Sequence, residues 1–217
     1  MSMAQRFDGR FDEEFIGGLD ELLRWRRDIR QFRTEPLPEG LFEEILASAE
    51  LSPSVGNSQP WRWVRVDSPE PRAAVAASFA RANADALAGY SGERAHTYAS
   101  LKLSGLDDAP VQLAVFCDPD PEQGGGLGRR TMPQTLEYSV VTAITALWLA
   151  ARARGVGVGW VSILDAAEVT AALDVPEHWT LVAYLCIGYP ATLESTPELE
   201  RLGWQSRTDP RDRLYRR

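Results

Sequence analysis

Apolar residues recur at helical spacing in five segments of the chain. The clearest stripe predicts a packed helix whose first turn can hold Pro38, and its members are Leu41, Phe42, Ile45, Leu46 and Ala49. Further helices are predicted over 19–25, 71–87, 98–106 and 135–154. Gly155 follows the last of these and is typical of a helix C-cap.

The helix predicted over 135–154 is apolar on nearly all sides. A helix of that kind is normally buried all round. One small subunit can hardly cover it, so we expect burial against a second copy of the chain.

Other apolar segments have the length and alternation of strands. Residues 61–66 alternate apolar residues with arginine, which predicts a half-exposed strand, and further strands are predicted over 111–117, 156–164 and 179–187. Asp165 and Glu168 form a capping signature for one more helix. Residues 118–130 are rich in glycine and read as a flexible surface loop. The order of elements favours a mixed α/β or an α+β domain over 1–217, with an arm over 1–18 and a tail over 205–217.

Composition narrows the classes of function. The chain has 217 residues, of which 44% are hydrophobic and 25% charged, as in an ordinary packed protein. A net charge of −8 argues against general nucleic-acid binding, which needs a basic face. No apolar stretch reaches the roughly 20 residues that span a bilayer, and the first residues lack the apolar core of a signal peptide. We therefore expect no membrane and no nucleic-acid partner.

The cysteines, the histidines and Ser162 argue against three kinds of site: a disulfide, a metal site and a serine hydrolase site. Cys117 and Cys186 lie in apolar, strand-like runs, so two buried thiols in a reducing cytoplasm are expected. His96 and His178 have no metal-ligand spacing around them, and no metal is expected. Ser162 lacks the G-x-S-x-G turn of a hydrolase nucleophile.

The stretch from Arg26 to Trp61 carries the sharpest chemical signal. It begins with RRDIRQF, which sets Asp28 among three arginines, and it ends with LSPSVGNSQPW. Arginine forks match phosphate oxygens, and a turn of small polar residues lets backbone amides approach a flat ring. A flavin mononucleotide has both a phosphate and such a ring. The alternative is a solvated basic face in which Asp28 merely caps a helix or pairs with Arg30.

These two motifs resemble the nitroreductase-like FMN flavoprotein superfamily. The blocks LKLSGLDDAP, VFCD and GVGWVSILD, together with Asp28 where ordinary nitroreductases usually carry serine, resemble its members that consume their flavin. The resemblance implies an α+β fold with a mixed sheet flanked by helices, in a homodimer of domain-swapped type. It also implies oxygen-dependent fragmentation of reduced FMN to 5,6-dimethylbenzimidazole and erythrose 4-phosphate, for the lower ligand of cobalamin. FMN and O2 are then both substrates, and a separate flavin reductase supplies reduced FMN.

The resemblance also implies a set of site residues. Asp28 and Ser162 match the two catalytic positions, and Leu103 belongs to a lid over the ring. The remaining predicted flavin contacts are Arg26, Arg27, Ile29 and Arg30, with Arg207 in the tail as a weaker phosphate ligand, and Pro53, Ser54, Val55 and Asn57 from the partner chain.

Two other functions stay open on sequence grounds. The first is an FMN-dependent NAD(P)H nitroreductase or related oxidoreductase that retains its flavin. The second is a flavin-binding protein without enzymatic activity. Turnover or retention of the flavin distinguishes the first from the fragmentation reaction, and absence of any oxygen-dependent product would indicate the second.

Overall fold

The computed structural model describes residues 9–217. Its helices are α1 (Glu13–Trp25), α2 (Leu41–Ala49), α3 (Pro69–Ala88), α4 (Gly92–Ser100), α5 (Thr135–Ala153), α6 (Ala166–Ala172) and α7 (Glu198–Arg201). Its strands are β1 (Trp61–Arg65), β2 (Val111–Cys117), β3 (Gly157–Val161) and β4 (Thr180–Gly188). Short 3-10 turns cover Val55–Asn57 and Pro210–Arg213.

The four strands form one sheet in the order β1-β2-β4-β3, and each neighbouring pair is antiparallel. A parallel bridge from Asp28 to Val158 adds the segment before α2 to the free edge of β3. The sheet is therefore mixed only at this edge, and helices cover it on both faces. The predicted α+β class is confirmed.

The sheet separates two buried clusters. Leu113 and Leu185 face α2 and α5, where they pack with Ile144. Phe116 and Cys186 face the opposite side, which α3 and α6 cover. Side chains alternate between the faces along each strand, as a strand requires. Both cysteines are buried, as predicted.

Some predicted boundaries were wrong. α1 begins at Glu13 instead of residue 19, because Asp12 caps it by accepting a 2.8 Å hydrogen bond from the amide of Phe15. Residues 13–18 of the predicted arm are thus helical, and residues 1–8 lie outside the described residues. Pro38 precedes α2 instead of lying in its first turn.

The helix predicted over 98–106 was also wrong. Helix α4 ends at Ser100, and the chain from Leu101 to Gly105 is not helical. Gly105 lies against the ring of Phe32, where an added Cβ would come within 2.3 Å of a ring carbon. Tertiary packing of this segment overrides its local helical pattern.

Helix α5 is buried on one face only within a single chain. Val140 and Ile144 are fully buried, whereas Tyr138 is 57% exposed and Val141 39% exposed. A single chain therefore leaves part of the helix uncovered, and its burial against a second copy stays a prediction. Over residues 9–217, no helix combines the length and apolarity that crossing a membrane requires.

Candidate functional site

The arginine-rich segment lies along the edge of β3 because that strand contains two glycines. An added Cβ at Gly159 would lie 2.0 Å from the carbonyl oxygen of Ile29, and one at Gly157 would lie 2.8 Å from its side chain. The amide of Ile29 donates a 3.0 Å hydrogen bond to the carbonyl of Val158. Glycine is thus required for the close approach that places RRDIR against the sheet.

Both carboxylate oxygens of Asp28 are engaged. Oδ1 accepts a 2.8 Å hydrogen bond from the backbone amide of Trp160, and Oδ2 accepts one of 2.9 Å from Nε of Arg30. The side chain of Arg30 is only 13% exposed, and that of Asp28 is 30% exposed. The carboxylate is therefore fixed in orientation but still reached by solvent-sized groups.

A first cavity of about 140 Å³ opens beside this pair. Its lining includes the arginines predicted for phosphate; the residues are Arg26, Arg27, Asp28, Arg30, Pro197, Glu198, Leu199 and Arg207. Burial lowers the pKa of the Arg26 guanidinium, and nearby Arg207 lowers it further against the opposing effect of Asp28. Burial, then Arg26 and Arg207, lower the pKa of Arg27. Cations that destabilise one another around a cavity favour binding of an anion there.

A second cavity has a volume of about 420 Å³. Asp28, Ile29 and Arg30 of the arginine-rich segment line it. Lys102 and Glu198 also line it, and Oε2 of Glu198 lies 3.8 Å from Nη1 of Arg30. Neither residue was predicted for the site. Their positions far along the chain carry no local signal, although Lys102 belongs to the block LKLSGLDDAP that supported the resemblance.

Trp148 of α5 holds the other side of the arginine segment and was not predicted either. Its Nε1 donates a 3.1 Å hydrogen bond to the carbonyl of Arg27. The guanidinium of Arg26 lies over its ring at 4.9 Å from the centroid. The indole thus orients one of the guanidiniums by a cation–π contact.

The turn that was predicted to contact the flavin ring packs against a different part of α5. The amide of Val55 donates a 3.0 Å hydrogen bond to Oγ of Ser139, and Thr142 Oγ1 donates one of 3.4 Å to the carbonyl of Pro53. Pro53, Ser54, Val55 and Asn57 line neither of the two cavities. Thr142 and Trp148 are six residues apart on one helix, or about 9 Å along its axis. A single chain therefore does not bring the turn to the arginines.

Ser162 and Leu103 also stay outside the two cavities. Ser162 is exposed and immediately follows β3, two residues beyond Trp160. Leu103 is half-buried next to Lys102, whose carbonyl accepts a 3.5 Å hydrogen bond from Nη1 of Arg30. The structure places both residues on segments that adjoin the Asp28–Arg30 pair without placing either side chain against it.

Comparisons with known proteins agree with this architecture. The model of the nitroreductase family matches residues 23–189. The chain is 60% identical, over 91% of its length and 93% of the relative, to a 5,6-dimethylbenzimidazole synthase of Rhodospirillum rubrum. It is 51% identical, over 90% of its length and 94% of the relative, to a protein of the same name in Rhodobacter capsulatus.

A solved structure shares the fold. Iodotyrosine deiodinase, bound to FMN and 3-iodo-L-tyrosine, superposes with a TM-score of 0.69 at 24% identity, covering 81% of this chain and 91% of the other. At that identity the likeness concerns the fold alone. The family model, by contrast, spans the arginine segment, the turn and all four strands. This chain belongs to the nitroreductase family.

Proposed function

We propose that this chain catalyses the oxygen-dependent fragmentation of reduced FMN to 5,6-dimethylbenzimidazole and erythrose 4-phosphate, with the pyrimidine ring of the flavin leaving as a third fragment. The observation that carries the proposal is the 60% identity to a 5,6-dimethylbenzimidazole synthase over nine tenths of the chain. The product would serve as the lower ligand of cobalamin. The geometry around Asp28 supports the proposal independently of this sequence identity.

The donor set fits the phosphate of FMN. Arg26, Arg27 and Arg207 surround the smaller cavity. Burial is the main cause that lowers the pKa values of Arg26 and Arg27, and repulsion from Arg207 adds to it at both, although Asp28 opposes it at Arg26. A phosphate placed among them would relieve that repulsion and accept charge-assisted hydrogen bonds. Ile29 and Arg30 line the larger cavity and would contact the flavin ring, with the guanidinium toward a carbonyl of the pyrimidine edge.

Asp28 is proposed as the general acid or base. Reduced FMN, as the substrate, supplies the electrons for O2 and the skeleton of the benzimidazole. Asp28 keeps free lone pairs beyond its two hydrogen bonds, so its oriented carboxylate can take and return a proton at the first ribityl carbon. Ser162, which lies just after the end of β3, would hold a proton by hydrogen bonding. Leu103 would exclude water above the ring.

A second copy of the chain would complete the site. The turn that carries Pro53, Ser54, Val55 and Asn57 lies away from the chain's own cavities. Helix α5 exposes Tyr138 and Val141, and α1, which contacts α5, exposes apolar residues of its own, among them Phe15, Ile16, Leu19 and Leu23. An exposed patch of this kind marks an interface. In the homodimer the turn of one subunit would contact the flavin of the other.

A separate flavin reductase would supply the reduced FMN. The reaction would take place in the cytoplasm. Two buried, unpaired thiols suit that reducing compartment.

Product analysis tests the proposed function. The purified chain is mixed with reduced FMN under anaerobic conditions, exposed to air, and examined by mass spectrometry for 5,6-dimethylbenzimidazole, erythrose 4-phosphate and remaining flavin. We expect the amount of flavin to fall as the amounts of both products rise. Without air, neither product should form. Complete recovery of oxidised FMN would overturn the proposal. Recovery together with NAD(P)H-dependent reduction of a nitroaromatic would identify the flavin-retaining alternative.

A further inference from the structure

We propose that the glycine-rich segment Gly124–Gly128 is a buttress that fixes the conformation of the turn 53–59. This inference rests on the proposed function, in which that turn contacts the flavin. The segment joins β2 to α5 and was predicted to be a flexible surface loop. It would act as a positioning element, without touching the flavin itself.

The segment, together with Gln123 just before it, lies directly against the backbone of the turn. Nε2 of Gln123 donates a 2.6 Å hydrogen bond to the carbonyl of Asn57. A Cβ added at Gly124 would lie 2.9 Å from the carbonyl oxygen of Gly56 and 2.9 Å from Cβ of Ser58. A Cβ added at Gly56 would lie 3.0 Å from the carbonyl oxygen of Leu127. Two strips of backbone in such contact leave no room for side chains between them.

The turn needs support because its backbone is strained. Gly56 has a φ of 58°, and the non-glycine residues Asn57 and Gln59 have φ values of 54° and 45°. Left-handed φ values at residues with a Cβ persist only where surrounding structure imposes them. Helix α5 holds the start of the turn through Ser139, and Gln123 with the segment Gly124–Gly128 holds its middle.

The contact also reaches a side chain predicted to touch the flavin. A Cβ added at Gly128 would lie 2.7 Å from Cγ2 of Val55. Val55 is β-branched and has little freedom to rotate away. Substituting Gly128 would therefore push the side chain, or the backbone that carries it, out of position.

Two neighbouring glycines provide a matched pair of variants. Gly124 and Gly125 both have left-handed φ values, of 88° and 55°, so alanine strains the backbone at either position. Only at Gly124 does the new methyl group meet the turn, because nothing lies within 4 Å of a Cβ at Gly125. Gly124→Ala tests the buttress, and Gly125→Ala controls for strain within the same loop.

The first readout is affinity for oxidised FMN, measured by quenching of flavin fluorescence. We expect Gly124→Ala to weaken FMN binding by about tenfold relative to Gly125→Ala, as for the loss of one hydrogen bond between the turn and the ring. A segment that merely stabilises its own loop would give equal FMN affinities in the two variants, and equal affinities would overturn the inference.

The second readout needs no flavin. The amides of Asn57, Ser58 and Gln59 all donate hydrogen bonds within the turn, and their hydrogen exchange reports its order. We expect faster exchange at these amides in Gly124→Ala than in Gly125→Ala. If the wild-type chain fails to bind FMN, the proposed function fails, and exchange at these three amides still decides whether the buttress exists.

A milder pair of variants covers the case in which Gly124→Ala does not fold. Gln123→Ala removes only the hydrogen bond to Asn57, and Glu122→Ala changes the exposed residue before it. Faster exchange of the turn amides in the first variant but not in the second supports the buttress. Identical exchange in the two variants overturns it.

Discussion

The backbone amide of Trp160 donates a 2.8 Å hydrogen bond to Oδ1 of Asp28. The donor is main chain, so no substitution at position 160 except proline removes it. It fixes the Asp28 carboxylate to β3, the strand that Ser162 immediately follows. The positions of both proposed catalytic residues therefore depend on β3. Arg30 holds the other oxygen, and this leaves its guanidinium between Asp28 and Glu198.

Arg30→Ala is expected to weaken binding of reduced FMN and to release Oδ2 of Asp28. Loss of one charge-assisted contact costs about 1.5–3 kcal/mol, which corresponds to roughly 10- to 150-fold in affinity. Anaerobic titration of the variant with reduced FMN measures the effect. Arg81→Ala is the control, because Arg81 forms a 2.6 Å pair with Glu168 away from the two cavities and from the turn 53–59. Equal affinities in wild type and Arg30→Ala would remove Arg30 from the site.

Arg207→Ala is expected to weaken FMN binding without destabilising the free protein. Arg207 is exposed and lowers the pKa values of Arg26 and Arg27, so its removal relieves repulsion in the empty site. An exposed ion pair contributes up to about 1 kcal/mol, or about fivefold in affinity. Riboflavin lacks the phosphate and serves as the control ligand. An equal loss of affinity for FMN and riboflavin would contradict a phosphate role for Arg207.

The chain is expected to be a tight dimer, because α5 leaves Tyr138 and Val141 exposed. Val141→Glu should shift it toward monomer, since a charge buried at an apolar contact is costly. Sedimentation at micromolar concentration with FMN bound measures the change. Ala74→Glu makes the same substitution type on the exposed face of α3 and should leave the dimer intact. A wild-type monomer under these conditions would refute the dimer.

Local patterns predicted the elements whose packing is regular. All seven residues of β2 are buried, and its predicted bounds of 111–117 match the structure. The predicted helix over 98–106 failed because the position of Gly105 depends on Phe32, which is distant in sequence. Local spacing cannot report a contact of that kind.

The same distinction applies to the site. The arginine segment stood out because its residues are adjacent in sequence. Trp160 and Lys102 join it across 132 and 72 positions of the chain, respectively, and no spacing rule connects them. The glycines of β3 were visible as a strand feature, but their purpose became clear only from the carbonyl of Ile29 lying against Gly159.

Neither cysteine should react with iodoacetamide in the native protein. Burial raises the pKa of Cys117 to about 12 and that of Cys186 to about 12. At pH 8 the thiolate fraction is then on the order of 10⁻⁴, and it is the thiolate that reacts. Mass spectrometry should find no alkylation between pH 7 and 9, and modification of both residues after denaturation. Rapid labelling of native Cys117 would show that the strand end is open to solvent.

The claim at the centre of this account is that the Asp28 carboxylate moves a proton during fragmentation of reduced FMN. Asp28→Asn keeps an oxygen to accept from the Trp160 amide, but it cannot act as a base near neutral pH. Asp118→Asn makes the same change in the Asp118–Arg62 pair and controls for loss of an ion pair.

The decisive measurement mixes each protein with reduced FMN, admits air, and quantifies 5,6-dimethylbenzimidazole and oxidised FMN after a single turnover. We predict that wild type and Asp118→Asn form the benzimidazole, whereas Asp28→Asn binds FMN but returns it as oxidised flavin with no benzimidazole. A benzimidazole yield from Asp28→Asn equal to that of wild type would contradict the account and leave Asp28 with a structural role only.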